Sequence, residues 1–306
     1  MLARYPLGLT ALALVLALPR LAAAQANPTF NYGKAEEVKE VKAVDWTAIA
    51  EAGLVLTTGN SKTTTATAAA KVTRLDADNK LYGEVNMAYA RSTILIVSDE
   101  DASGTIGPDE IQESTATTAN AWLAKLRYDR FLTEFNSLYA TAALGADRPA
   151  GKDLYGGGQI GYSRLLYKDG DKHQLTGEVG YDFSYEDLAA GDPLQIHSAR
   201  AFVGYKGKLT EVTAVEASAE VLGNLNSLDT VPETSGPFED LRVNAGAAIT
   251  TKLTSKISLN VSLGTKFDNR PAPRAVIGGI PYDAGFVPVA DKLDTITKAS
   301  LIIALF

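Results

Sequence analysis

Residues 99–110 read DEDASGTIGPDE, a run whose oxygen donors fall at the spacing of a twelve-residue calcium loop. Asp99, Asp101 and Ser103 occupy positions one, three and five, where side-chain oxygens point at a hard cation. Gly104 stands at the sixth position, where the chain turns sharply, and Thr105 offers its carbonyl at the seventh. Gly107 leaves room for a water at the ninth, and Glu110 can clamp bidentately at the twelfth. The expected metal ligands are therefore Asp99, Asp101, Ser103, Thr105 and Glu110, with Ile106 and Ile111 as apolar anchors. Three carboxylates and one serine predict a weak calcium site, in the ~10⁻⁴–10⁻³ M range of extracellular modules.

An EF-hand proper flanks this loop with helices. Here residues 92–97 are rich in β-branched side chains and 115–118 read TATT, neither of which favours a helix. The loop is expected to bridge two strands. Other chemistry is sparse. Cysteine is absent, so no disulfide framework or thiolate metal site exists. The two histidines are His173 and His197, and His197 is followed by Ser198, the pair that a serine hydrolase would need. Adjacent residues of a strand point to opposite faces, which separates that base from that nucleophile. An enzyme is not expected.

The elements that must carry these residues show period two. Leu175, Gly177, Val179, Tyr181, Phe183 and Tyr185 alternate with Thr176, Glu178, Gly180, Asp182, Ser184 and Glu186. The same alternation runs through 241–250 and 257–268. Each such segment has one apolar and one polar face, which is a strand. Twelve segments are expected: 46–58, 61–75, 79–97, 113–131, 137–148, 153–167, 172–187, 194–208, 212–226, 238–253, 256–269 and 290–306. Most exceed the ~5–6 residues usual in soluble proteins and reach the ~9–11 needed to cross a bilayer at a tilt. Tight connectors (76–79, 133–136, 169–172, 209–211, 254–255) alternate with mostly longer ones (98–112, 188–192, 227–237, 269–289), the short members being 59–60 and 149–152. Short periplasmic turns alternating with longer extracellular loops define a membrane barrel. Trp46, Tyr128 and Tyr205 fall near one set of strand ends, Tyr185 and Phe267 near the other, as two aromatic girdles would.

The expected fold is thus an all-β, antiparallel transmembrane β-barrel of about twelve strands over residues 45–306. Residues 1–24 read as a signal peptide: Arg4, an apolar stretch over 7–18, and Ala22-Ala23-Ala24 before Gln25. Residues 25–44 read as a polar periplasmic lead. Cutting before Gln25 removes Arg4 and Arg20 and takes the net charge from −7 to −9 (−7 − 2). That acidity argues against a nucleic-acid partner. The expected surroundings are outer-membrane lipid and lipopolysaccharide, in a Gram-negative bacterium.

Trp46 with EAGLVLTTGNS at 51–61 resembles the opening of the salt-induced outer-membrane protein family, Gram-negative proteins classed as a domain of unknown function. KVTR at 71–74, YDRFLT at 128–133, residues 156–164, DNRP at 268–271 and Phe306 fit the same family. The likeness runs over most of the chain from about residue 45. It implies an outer-membrane barrel with a structural or envelope-stress role and brings no catalytic residue. The calcium loop and residues 275–289 depart from the family pattern, so the resemblance says nothing about calcium.

Strand parity directs Glu51, Glu84, Lys125, Arg127, Asp129, Asp147, Arg164, Glu178, Asp182, Arg200, Glu216, Glu220, Arg242 and Lys266 into the lumen. Twelve strands lie between a side-chain-filled small barrel and an open porin. Mixed charges in that space form either an ion-paired plug, the favoured expectation, or the lining of a small-solute or ion channel. One irregularity stands out. If Phe306 faces outward, the same parity puts Lys298 and Ser300 outward too, unless a bulge intervenes.

Overall fold

The computed structural model describes residues 44–57, 62–97, 111–230, 234–273 and 289–305. The expected signal peptide, nearly all of the polar lead, the calcium loop 99–110 and Phe306 lie outside the described residues. Twelve strands follow in order: β1 (Asp45–Thr57), β2 (Lys62–Asp76), β3 (Asn79–Val97), β4 (Ile111–Phe131), β5 (Asn136–Asp147), β6 (Lys152–Asp169), β7 (His173–Leu188), β8 (Leu194–Lys208), β9 (Thr213–Asn224), β10 (Leu241–Lys252), β11 (Ile257–Asp268) and β12 (Leu293–Ala304). Each pairs antiparallel with its neighbours in sequence, and β1 closes on β12 through Ile49–Ala52 against Leu301–Ala304. The result is a closed barrel with no free edge.

Both termini of the barrel sit at the end where the turns are short. Three of those turns share one device. Leu132-Thr133, Leu209-Thr210 and Leu253-Thr254 each end a strand, and the threonine hydroxyl accepts backbone N–H groups two or three residues ahead. This local bond satisfies donors that the ladder has released and fixes the reversal. The opposite end carries the longer connections, including 98–110, 225–240 and 269–292.

Outward positions are apolar and exposed: Leu54, Met87, Leu126, Ile160, Val179, Ile249, Val261 and Ile303 ring the barrel. Trp46, Tyr128, Phe135 and Tyr167 are exposed near the short-turn end, Tyr181 and Tyr185 toward the other. So large an apolar surface is untenable in water and matches the lipid-facing band between aromatic girdles. Inward positions are polar, and many are buried charges.

One face assignment needs correction. Arg164 points outward and is exposed, while Ser163 beside it is buried in the lumen. The reason is a register shift between Leu165 and Tyr167. Leu166 and Tyr167 both end up exposed on the outer face, so counting strand parity inward from the turn arrives at Arg164 one step wrong. At the C-terminal strand no bulge is required. Leu301, Ile303 and Leu305 face out, whereas Ser300 is buried beside Glu51 and Lys298 reaches the same carboxylate.

Glycines on the inner wall of β6 and β7 shape the interior. Asp129, Tyr139, Gly161, Gly180 and Arg200 form one cross-strand row from β4 to β8. Tyr139 lies across the two glycines; a Cβ on Gly161 would meet its hydroxyl at 2.5 Å and one on Gly180 at 2.6 Å. The bare backbone lets one aromatic ring span three strands. Gly180→Val is expected to lower stability by about 1–3 kcal/mol through overpacking against this ring. Urea unfolding of the detergent-folded barrel measures it, and an unchanged midpoint contradicts the packing.

Candidate functional site

The lumen is the site, and its centre is a chain of ion pairs. Arg127 on β4 binds Asp129 of its own strand at 2.7 Å and reaches Glu178 on β7 at 2.7 Å. Glu178 also accepts from Arg200 on β8 at 2.8 Å, and Arg200 reaches Glu220 on β9 at 2.5 Å. Asn244 on β10 donates to the second Glu220 oxygen at 2.8 Å. The Tyr139 hydroxyl accepts from Arg200 at 2.7 Å, while the Arg127 guanidinium stacks over its ring at 4.3 Å. Asn244 apart, these groups are essentially inaccessible to solvent. Burying such charges is costly, so the network persists only because nearly every lone pair has a donor.

A second cluster lies on β3, where Glu84 accepts from Tyr82 at 2.6 Å and from Asn86 at 2.5 Å. Toward the long-loop end, Glu186 on β7 pairs with Lys152 on β6 at 2.7 Å and faces Arg242 on β10 at 3.6 Å. In the β9–β10 loop, burial and the neighbouring Asp268 push the Asp240 carboxyl up to about 6 against the opposing pull of Arg242.

The interior is uneven. Inward residues of β3–β5 and β7–β9 are mostly buried against one another. On β10, β11, β12, β1 and β2 the inward set is largely small and half-exposed: Ala248, Thr250, Ser258, Ser262, Thr65, Thr67 and Ala69. A cavity of about 220 Å³ opens above the ion-pair chain, between Lys125, Thr141 and Glu220 below and Ala150, Pro271, Ala272 and Ala290 above. The roof comes from three connections. Ala189 N–H donates to the Gly151 carbonyl at 2.9 Å, and a Cβ on Gly151 would meet the Pro273 carbonyl at 3.0 Å. Gly151 holds φ +76°, a conformation that requires glycine here.

Parity therefore placed thirteen of its fourteen candidate charges correctly, Arg164 being the exception, but it could not say which of them meet. It also passed over Tyr139 and Glu186, which the same alternation would have reached, and Lys152, which a register shift before Leu154 brings to the inner face. His197 and Ser198 are divided by the barrel wall. His197 faces out against the rings of Tyr181 and Phe183, and Ser198 is fully buried inside, accepting from Arg242 at 2.9 Å. They cannot act on one substrate. Among the described residues no cluster of His, Asp or Glu could hold a metal ion.

A closed antiparallel barrel with an apolar outer band and a charged lumen is a transmembrane β-barrel of the outer-membrane kind. The chain belongs to the family described as protein of unknown function, DUF481, whose profile matches residues 50–277. Among curated proteins none matches. Among solved structures, an outer membrane channel from Pseudomonas putida F1 is similar at 12% identity and TM-score 0.46, over 90% of this chain and 100% of that one. The NanC porin is similar at 9% identity and TM-score 0.42, over 84% and 97%. The translocator domain of the autotransporter NalP from Neisseria meningitidis follows at 13% identity and 0.40, over 89% and 92%. These low likenesses carry nothing about function.

Glu178 holds two buried guanidiniums at once, so its loss leaves both undercompensated. Glu178→Ala is expected to destabilise the barrel by about 3–5 kcal/mol. Denaturant unfolding, read with heat-modifiable gel migration, tests this; a cost under about 1 kcal/mol contradicts a central role.

Proposed function

We propose that the protein is a narrow pore of the Gram-negative outer membrane that passes small polar solutes. The observation that carries this reading is the division of the lumen. Buried side chains, many of them charged, crowd the inner face of β3–β5 and β7–β9, whereas from β10 round to β2 small half-exposed residues fill the stretches between the charges of Arg242, Lys266, Lys298 and Glu51. A plug built for stability alone would have no reason to leave stretches of Ala, Ser and Thr half-exposed along one wall. The water-lined path would run along that wall, past the ion-pair chain. Ala248 and Ser262 sit side by side on it, with Lys298 next in register.

Planar-bilayer recording tests the reading. Wild type is expected to give small, steady conductance steps. Ser262→Trp, which fills the path, is expected to abolish most of that current, whereas Ala247→Trp on the lipid face of β10 leaves it unchanged. Absence of conductance in wild type, or equal effects of the two substitutions, favours the plug.

A second reading concerns the 99–110 loop, favoured by its donor spacing and by its place between β3, which ends at Val97, and β4, which begins at Ile111. Calcium held by Asp99, Asp101, Ser103, Thr105 and Glu110 would order a connection on the long-loop side of the barrel. Calorimetry of calcium-free protein is expected to show binding heat in the millimolar range, lost in the Asp99→Asn, Glu110→Gln double variant. No heat in wild type ends this reading.

A further inference from the structure

We infer that the roofed cavity above the ion-pair chain is a binding site for a small basic zwitterion of the amino-acid type. Three of its lining groups point to such a ligand. Asp147 and Asp182 are both more than nine-tenths buried, yet neither forms an ion pair among the described residues. Asp147 accepts only the Ala150 backbone N–H, at 3.3 Å. Asp182 is held by neutral donors alone, Gln159 at 2.9 Å and Ser184 at 2.8 Å. Lys152 stands beside Asp147 in register and Arg242 acts on Asp182, but both bases are turned to Glu186, so neither buried carboxylate has the contacting cation that such burial normally requires.

The third group is Lys266. Of the four bases lining the cavity, Lys152 and Arg242 are turned to Glu186, and Lys125 lies beside Glu84 in register. Lys266 forms no ion pair among the described residues, although Asp294 stands beside it in register on β12. It stands on β11, six strands from Asp147 on β5, and the two act on each other across the lumen without closing the gap. An acid and a base that face each other unjoined suit a ligand with an ammonium at one end and a carboxylate at the other. Independently, the Thr141 hydroxyl lines the floor, is buried, and has no hydrogen-bond partner among the described residues. A buried unpaired hydroxyl is costly, and a bound solute would satisfy it.

Asp182 remains after that pairing, and the lining as a whole carries more acids than bases. This excess favours a ligand with a second positive charge. Tyr155, laid flat over Gly145, offers an aromatic face on which a cationic side chain can rest. The inference leans on the pore reading only for the route by which the solute arrives.

Isothermal titration of the folded barrel in detergent, with L-lysine, L-alanine, L-glutamate and glucose as probes, tests it. The expected order is L-lysine, then L-alanine, then L-glutamate, with no heat from glucose. Lys266→Met is expected to weaken both L-lysine and L-alanine by about ten-fold or more, as loss of a charged hydrogen-bond partner does. Asp182→Asn is expected to reduce L-lysine to the level of L-alanine and leave L-alanine unchanged. Heat-modifiable migration confirms that each variant is folded. No binding of L-lysine to wild type, binding of L-glutamate at least as strong, or folded variants that bind like wild type each overturns the proposal. Titration reads binding without requiring current. Conductance without binding removes this site and keeps the pore; binding without conductance does the reverse.

Discussion

Glu178 is the residue on which the interior depends. A barrel closed in lipid leaves its inward charges only each other and whatever water the lumen holds. Glu178 answers for two of them, taking Arg127 from β4 and Arg200 from β8. It thereby ties strands that are not neighbours in the sheet. Main-chain pairing alone fixes each strand to the next; the chord through Glu178 fixes the shape of the cross-section.

The chord is possible because two glycines stand beneath Tyr139. A side chain at Gly161 or Gly180 would lift the ring from the wall, and its hydroxyl would no longer meet Arg200. With the bulk gathered on the β3–β9 side, the wall from β10 to β2 keeps stretches of small half-exposed residues between its charges. The cavity under the β5–β6 and β11–β12 connections follows from the same unevenness. Packing on one side of the lumen and access on the other are a single arrangement, and the proposed transport and binding both rest on it.

Much of this was legible beforehand. Every strand was expected within about three residues of its observed bounds, because a polar lumen and a lipid exterior impose the same alternation on each crossing. The sorting of connectors into short and long also reads directly from the chain. The repeated Leu-Thr turns at 132, 209 and 253 were there to be found as well. What failed was local. At Arg164 the register shift beyond Leu165 inverted the parity, and one inserted residue is invisible to a count of alternation. At the C-terminus, Phe306 as the outward reference left Lys298 and Ser300 in conflict with a polar interior, a conflict that the outward faces of Leu301, Ile303 and Leu305 resolve.

The donor spacing at Asp99 is the basis of the proposed calcium loop, and where an EF-hand has helices the strands β3 and β4 flank it, so a helix-pair opening has no counterpart here. Alternation along each segment determined the barrel, its strand number and the face of nearly every residue, since those depend on neighbours in the chain. Which charges meet depends on residues such as Arg127 and Glu178, separated by fifty-one positions and two intervening strands. Strand tilt and register bring such side chains to one height, and no period within a single strand encodes that. Only the tertiary structure could decide that Glu178 would bind twice, that Asp182 would be held by neutral donors, and that stretches of one lumen wall would stay half-exposed.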